Sequence, residues 1–305
     1  MSGDQSLGAP RTPPRWPTVA VLLALVIAAC GPDSPGSWGS PAVDRLHEQA
    51  KAALARWTDA VGGSKTGLVV VGELTSQIGD WEEAVGENNK IALMSGQVRA
   101  TSSLAPTTPP RGDVDWPDGR STTVELLSAH QALDQIVISA GSACSDCRPL
   151  VVTAARLTSG QVQTSRGPAT APIWEFGIQG TNVKLTRVAV ANTISVKPPP
   201  WDPNDAPEGI SIDSATGNAS AGQLTVSFVG APDRGDRPCG ADYRAEAVES
   251  QLAVVVIVVE HRNPTPGACA AVGAERTAVV NLASPLGDRT VLEVKEGLPV
   301  RLLEP

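Results

Sequence analysis

The most constraining feature of the sequence is a run of seven consecutive apolar residues at 253–259, six of which are β-branched. β-Branched side chains favour strands, and successive side chains of a strand point to opposite faces of its sheet. An uninterrupted apolar run is therefore typical of a central strand that is covered on both faces. Further segments with strand patterns lie at 224–229, 243–249, 277–282, 290–294 and 300–303.

These segments predict six or seven short strands and no helix in the last hundred residues. That number and spacing are typical of a β-sandwich of immunoglobulin-like size, which we expect at 210–305. The buried tryptophan of true immunoglobulin domains is missing, because no tryptophan follows Trp201. The topology of these strands is left open.

Glycine and proline interrupt the chain throughout. The 305 residues include 29 glycines and 26 prolines. Together they make up about 18% of the chain, whereas roughly 12% is typical of proteins. This composition predicts many short elements joined by turns and excludes a bundle of long helices. The formal net charge is −8 and no cluster of Lys or Arg stands out. Nucleic acid is therefore a poor candidate partner.

One long amphipathic helix is predicted at the start of the folded part. Ser40 and Pro41 suit its first positions, and Gly62 and Gly63 suit its end. Apolar residues recur between them at spacings of three and four: Val43, Leu46, Ala50, Leu54, Trp57 and Val61. This stripe predicts a helix that packs on the sheet that follows.

The region from 41 to 196 has mixed patterns and predicts an α+β domain. A second helix is expected at 128–135, and a loop at 104–119, where four prolines stand. We expect strands at 67–74, 90–100, 150–157, 173–178 and 183–191. Residues 197–209 are rich in proline, which donates no hydrogen bond to a sheet, so we expect a linker there between the two domains.

The first thirty residues have the organisation of an export signal. Arg11 and Arg15 precede an apolar run at 19–29, which ends at Cys30. As a helix this run would span about half of a bilayer's hydrocarbon core, so it is too short for a comfortable transmembrane segment.

The tetrapeptide Ile27-Ala28-Ala29-Cys30 resembles the lipobox of bacterial lipoproteins. The resemblance implies a signal peptide at 1–29 that is removed, and a Cys30 that carries a diacylglyceryl group with palmitate-type chains. It further implies a flexible tether at 30–40 and a protein held on the extracytoplasmic face of the cell membrane. Several acyl chains give stable attachment, whereas one chain is marginal. An ordinary signal peptide cut nearby, or an uncleaved anchor, remains an alternative.

Four further cysteines are an even number, and in an oxidising compartment disulfides are the default. Cys239 and Cys269 bracket two predicted strands, and a bond between them would restrict the unfolded chain by about 3.5–4 kcal/mol. Cys144 and Cys147 would then form the other pair. Pro149 and the strand pattern after it favour a structural clip, because a redox-active pair normally opens a helix. Thiol oxidoreductase activity at this pair is kept as an alternative.

The sequence offers one candidate for a general base. His130 and Asp134 are four residues apart on the second predicted helix, where a carboxylate can orient an imidazole. No Gly-x-Ser-x-Gly or His-Glu-x-x-His motif accompanies them. A hydrolase that uses His130, Asp134 and an unidentified serine is therefore the rival to a non-catalytic protein. We identify no catalytic residue and expect no cofactor.

Two acidic segments are weak candidates for calcium, which prefers oxygen ligands on flexible backbone. Neither has the spacing of an EF-hand, so we predict no metal site. The first has Asp113, Asp115 and Asp118; the second has Asp202, Asn204, Asp205 and Glu208. Tryptophans at 81, 116, 174 and 201 could stack on ligands, but we expect them to fill the core in place of scarce Phe and Tyr.

Two segments, 164–176 and 226–232, are similar to runs in uncharacterised exported proteins of high-GC bacteria, a resemblance that implies no activity. The sequence thus predicts a lipid-anchored extracytoplasmic lipoprotein with a mixed α+β first domain and a β-sandwich-like second domain. We expect a non-catalytic binding or envelope-associated module whose ligand or protein partner is unknown. Its ligand would be contacted by loops at one end of the sandwich and by the tryptophan-bearing loops.

Overall fold

A computed structural model describes residues 41–63, 67–81, 86–101, 104, 107–138, 144, 146–265 and 267–305. The described chain is an α+β protein dominated by strands, as the sequence predicts. Its helices are α1 (Pro41–Val61), α2 (Gly86–Met94) and α3 (Ala129–Ile138). None of them is both long enough and apolar enough to cross a membrane.

Nine strands form the first sheet, around a long antiparallel hairpin. They are β1 (Val69–Val71), β2 (Thr75–Ile78), β3 (Val98–Ala100), β4 (Gly112–Asp115), β5 (Ser121–Val124), β6 (Leu150–Thr164), β7 (Gly167–Ile178), β8 (Lys184–Val188) and β9 (Ile194–Val196). The main path is β2-β8-β7-β6-β1-β9; β3 pairs with β6, and the β4–β5 hairpin joins through β7. Side chains of β7 alternate between buried and half-buried positions, so the sheet is covered mainly on one face.

Helix α3 begins at a reciprocal pair of hydrogen bonds. The Gln131 backbone N–H donates to Ser128 Oγ at 3.2 Å, and the Ser128 N–H donates to Gln131 Oε1 at 2.9 Å. This capping box satisfies amides that have no partner within the helix. Leu133 and Ile136 then pack with Phe176 on the sheet.

Two predictions for this region are wrong. Residues 90–100, predicted as one strand, form the end of α2 and then β3, with Ala92 buried and Ile91 exposed. A short alternation of apolar residues is compatible with the period of a helix and with that of a strand. Here packing on the sheet favours the helix. The loop predicted at 104–119 contains β4, because its prolines lie outside the paired segment at 112–115.

The last hundred residues contain seven strands in two sheets. They are β10 (Ile212–Thr216), β11 (Gln223–Gly230), β12 (Ala241–Glu249), β13 (Ala253–Arg262), β14 (Ala274–Asn281), β15 (Thr290–Glu293) and β16 (Arg301–Leu303). The four-stranded sheet has the order β14-β11-β10-β16 and the three-stranded sheet has the order β12-β13-β15. Both sheets contribute to one apolar core, in which Phe228 and Leu224 of β11 are fully buried.

Strand β13 is buried on both faces, which confirms the prediction from its sequence. Val254, Val256 and Val258 belong to the core shared with the four-stranded sheet. The alternate residues Val255 and Ile257 face the other way and pack in a second core with helix α1. The apolar run therefore serves two cores at once.

The bounds of helix α1 agree with the prediction, but its contacts reach beyond the sheet that follows it. Its buried stripe, which includes Leu46 and Trp57, packs with Val196 at the end of the first sheet and with Ile257 of β13. The helix thus contacts the sheet that follows it and also a strand that lies about two hundred residues further on. It does so because one face of β13 would otherwise expose a row of apolar side chains.

Polar contacts tie α1 to the end of the proline-rich segment. Gln49 Nε2 donates to the carbonyl of Glu208 at 2.9 Å and to that of Val294 at 2.8 Å. Arg45 forms an ion pair with Glu208 at 3.1 Å. Gly209 adopts a φ of 111°, and a Cβ there would lie 2.7 Å from Val294 Cγ1, so this position requires glycine. All described residues belong to one compact unit, and the division at 197–209 stays a prediction.

The packing of α1 on β13 predicts a large effect of truncating Ile257. This side chain is fully buried in the core shared with the helix. Ile257→Ala is expected to lower the free energy of unfolding by about 2–5 kcal/mol, through lost burial and a residual cavity. Urea denaturation followed by circular dichroism measures the loss.

Val279→Ala is the control, because Val279 is a strand residue of β14 that is 49% exposed. Its cost is expected to stay below about 1 kcal/mol. Equal losses in the two variants would contradict the assignment of Ile257 to the core beneath α1.

Candidate functional site

The predicted pair of His130 and Asp134 forms on α3, with Nδ1 of the histidine 2.8 Å from Oδ2 of the carboxylate. Both side chains are more than half exposed. Neither lines either of the two cavities described below. The pair therefore has the geometry of a solvated contact on the helix surface.

Both predicted disulfides, Cys144–Cys147 and Cys239–Cys269, are present. The first lies in the segment that leads into β6, which agrees with a structural clip. Asn88 of α2 receives a hydrogen bond from the Arg148 amide at 3.0 Å and donates one to the Arg148 carbonyl at 3.2 Å. The residue after Cys147 is thus hydrogen-bonded to helix α2, and the chain continues into strand β6.

The first calcium candidate, Asp113, Asp115 and Asp118, lies on the β4–β5 hairpin and the turn that joins its strands. Asp113 accepts a hydrogen bond from Thr123 and Asp115 accepts one from Ser121, each across the β4–β5 pair. Asp118 is paired with Arg120. Each carboxylate is engaged by its own neighbour, and within the described residues no three His, Cys, Asp or Glu side chains are gathered as metal ligands.

In the second acidic segment, Asp202 and Glu208 are likewise bound by protein groups. Asp202 accepts hydrogen bonds from the backbone and side-chain amides of Asn204, and Glu208 is bound to Arg45. Of the tryptophans, Trp116 and Trp174 are buried as expected, whereas Trp201 is 73% exposed. The expectation of core tryptophans therefore fails for Trp201, since the proline-rich backbone at 197–209 leaves its ring outside the sheets.

One concave site lies where three distant segments meet. We call it the junction pocket: a cavity of about 200 Å³ between the turn after β4, the turn between β6 and β7, and strand β16. It is lined by Trp116, Pro117, Asp118, Arg120, Arg166, Pro168, Arg301, Leu302, Leu303 and Glu304. The lining includes three arginines and two acidic residues, so its formal charge is positive in a protein whose net charge is −8.

A buried hydroxyl holds two walls of the junction pocket together. Thr164 is 4% exposed, and its Oγ1 accepts hydrogen bonds from Trp116 Nε1 and from the Arg166 amide, both at 3.1 Å. The same hydroxyl donates to the Gly167 carbonyl at 2.7 Å. Gly167 has a φ of 100°, which lets the chain enter β7 directly after a two-residue turn. The Trp116 ring and the β6–β7 turn are therefore fixed relative to each other.

The three arginines of the junction pocket differ in their partners. Arg120 donates to Asp118, and this hydrogen bond lowers the pKa of the Asp118 carboxyl, so the pair remains ionised. The Arg166 guanidinium lies 5.7 Å from the centre of the Trp116 ring, within the range of a cation–π contact. Neither Arg166 nor Arg301 has a carboxylate partner among the residues that the structure describes. The guanidinium groups of Arg166 and Arg301 are thus available to bind a ligand.

Sequence reasoning missed these arginines because they lie far apart in the chain. A search for basic clusters reads neighbours along the sequence, whereas Arg120, Arg166 and Arg301 meet only after the sheets form. Two signals pointed towards them: Trp116 in an acidic segment, and Arg166 between the strands predicted at 150–157 and 173–178. Neither signal indicates strand β16 as the third wall.

Comparisons with known proteins add no relative. No protein-family model, curated protein or solved structure matches the chain. Residues 1–40, which include the lipobox-like segment and Cys30, lie outside the described part of the structure.

The three hydrogen bonds of Thr164 predict that Thr164→Val destabilises the protein. Valine preserves shape but leaves the buried Trp116 Nε1–H and the Arg166 amide without their acceptor. The expected loss is about 1–3 kcal/mol in the free energy of unfolding. Thr153→Val, at an exposed position of the same strand, is the matched control and should cost less than about 0.5 kcal/mol. A neutral Thr164→Val substitution in urea denaturation would refute this role.

Proposed function

We propose that this protein is a lipid-anchored extracytoplasmic lipoprotein whose folded body binds an anionic ligand in the junction pocket without catalysing a reaction. The observation that carries the binding function is that two arginines, Arg166 and Arg301, line one cavity and form no ion pair with a carboxylate among the described residues. Guanidinium forks match the planar geometry of carboxylate and phosphate groups and bind them with two hydrogen bonds.

The shape of the site supports ligand binding over an incidental surface charge. The floor beside Arg166 is the Trp116 ring, which is 6% exposed and held by the buried Thr164. A rigid wall lowers the entropy cost of binding because it is already in position before the ligand arrives. A volume of about 200 Å³ suits one anionic group with a few attached atoms, such as an acidic end or branch of an envelope component.

The anchor rests on the resemblance of residues 27–30 to a lipobox. Two disulfides within the described chain are compatible with an oxidising, extracytoplasmic location. A protein with a net charge of −8 would be repelled by anionic headgroups, so the acyl chains on Cys30 would have to supply the attachment.

The finer architecture also belongs to this proposal. We infer that residues 210–305 act as a β-sandwich-like module, with a mixed module at 41–196 beside it. The junction pocket draws Trp116 and Arg166 from the first module and Arg301 from the second. A ligand there would contact both modules, which is how it would strengthen their association.

The rival functions have less support. The pair of His130 and Asp134 lies exposed on α3 and lines neither cavity. The Cys144–Cys147 disulfide precedes a strand, whereas a redox pair gains its reactivity at the start of a helix. We therefore prefer binding to hydrolysis or thiol exchange.

Binding of small polyanions tests the proposed site. We expect pyrophosphate and citrate to bind the purified protein, and the Arg166→Ala and Arg301→Ala variants to bind each of them about 10–100-fold more weakly. The reason is the loss of a charge-assisted hydrogen-bond pair, worth about 1.5–3 kcal/mol. Isothermal titration calorimetry measures the change in Kd.

Arg156→Ala is the control for general electrostatics, because Arg156 is an exposed arginine of β6 that is paired with Glu175. Its effect on Kd should be less than about twofold, and raising the salt concentration should weaken binding to both proteins. Equal binding by the wild type and an Arg166→Ala/Arg301→Ala double variant would refute the site.

The anchor is tested separately. When the chain is produced in a bacterial host, we expect it in the membrane fraction, with a mass that shows loss of residues 1–29 and acylation of Cys30. Cys30→Ser should abolish acylation and prevent membrane retention by lipid, whereas Ser34→Ala, four residues further on, should change neither. An intact chain with an unmodified Cys30 in mass spectrometry would contradict the proposed anchor.

A further inference from the structure

A second arginine site lies inside the first sheet, between strand β8 and helix α3. Arg187 of β8 is only 6% exposed. Its Nε and Nη2 donate to Gln135 Oε1 at 3.3 and 2.8 Å, and its Nη1 donates to Thr75 Oγ1 at 2.8 Å. Both acceptors are neutral, and no carboxylate in the described part of the chain forms an ion pair with this guanidinium.

A buried cation without a counter-charge costs the protein free energy. Moving a charge from water into the interior is unfavourable unless an opposite charge compensates it. The same burial lowers the pKa of Arg187, and no neighbouring carboxylate opposes this shift. An apolar residue at this position of β8 would pack against α3 without that cost, so the arginine needs an explanation beyond packing.

Arg187 is one of the residues that line a cavity of about 220 Å³. Besides Arg187 and Gln135 it is lined by the turn after β8, where Asn192 has a φ of 55° and Thr193 donates to the Val190 carbonyl. An arginine has five N–H donors, and the hydrogen bonds to Gln135 and Thr75 use three. The two that remain are one on each terminal nitrogen.

We propose that this cavity binds a small oxyanion, a carboxylate or a phosphate, as the counter-ion of Arg187. The two remaining donors would hold two oxygens of the ligand as a fork. A cation is excluded because it would face the guanidinium, and a neutral ligand would not offset the buried charge. The volume excludes a polymer inside the cavity, so the ligand is a small molecule or the end of a larger one.

This site is independent of the junction pocket. It uses β8, α3 and the turn at 190–193, whereas the junction pocket uses the hairpin turns of the first sheet and strand β16. Failure of one proposal therefore leaves the other intact, and variants of Arg166 or Arg301 should not affect binding at Arg187.

Thermal unfolding of the whole protein in different salts tests the site. A ligand that binds only the folded state raises Tm as its concentration passes its Kd. We expect sodium phosphate or sodium acetate at pH 7 to raise Tm by a few degrees above its value in sodium chloride of equal ionic strength. A rise in Tm with phosphate alone, with acetate alone or with both would support an oxyanion site. The salt that raises Tm more would show whether the site prefers a phosphate or a carboxylate.

The sharpest variant is Gln135→Glu, which places a carboxylate where the amide oxygen now accepts from Arg187. It supplies the missing counter-charge with almost no change in shape. We expect a higher Tm than the wild type in sodium chloride and, once Arg166→Met has removed the contribution of the junction pocket, loss of the remaining response to phosphate and acetate. Arg187→Met should also lose that response, because the buried charge is gone.

Arg156→Met is the control and should keep the response of the wild type, since Arg156 is an exposed arginine of β6 that is paired with Glu175. Arg166→Met removes the contribution of the junction pocket and should keep only the part of the response that depends on Arg187. A wild-type Tm that is equal in all three salts would overturn the proposal. A response retained in Gln135→Glu and lost in Arg166→Met would also overturn it, because the anion would then bind in the junction pocket.

Discussion

The fold depends on the burial of strand β13 on both faces. A strand that carries apolar side chains on every position needs two layers of cover, and the two come from different parts of the chain. The four-stranded sheet covers one face and helix α1 covers the other. Helix α1 also packs against Val196 of β9. By covering β13, the helix therefore joins the first sheet to the last hundred residues. Hydrogen bonds from Gln49 to the carbonyls of Glu208 and Val294 add polar contacts between α1 and the last hundred residues.

This arrangement explains why the candidate site lies at a meeting point of segments. Regular sheets leave their turns at the edges, and the turns of the first sheet meet strand β16 because α1 holds both parts in one unit. Trp116 and Arg166 are aligned by the hydroxyl of Thr164, and Arg301 arrives on a strand that pairs with β10. The positive lining is thus a product of tertiary structure in a protein whose overall charge is negative, and this contrast favours an anionic ligand.

The sequence predicts the elements better than it predicts the contacts between them. Helix α1, the β13 strand and the two disulfides were predictable because each depends on local spacing or on parity of cysteines. Residues 90–100 were not, since a short apolar alternation fits a helix and a strand equally, and tertiary packing decided between them. The arginines of the junction pocket were out of reach because no local pattern relates Arg166 to Arg301. Arg187 offered a faint signal, a charged residue at an alternate position of a strand that is otherwise apolar on that face.

We infer that the contact of α1 with β13 joins the first sheet and the last hundred residues into one cooperative unit. Native-state hydrogen exchange at increasing urea concentration measures it most directly, because it gives the free energy of opening for each amide. We expect the slowest amides of α1, β7 and β13 to merge into one opening with the same free energy and the same dependence on urea. Amides of α1 that open with a clearly lower free energy than those of β13, while β13 stays protected, would contradict it.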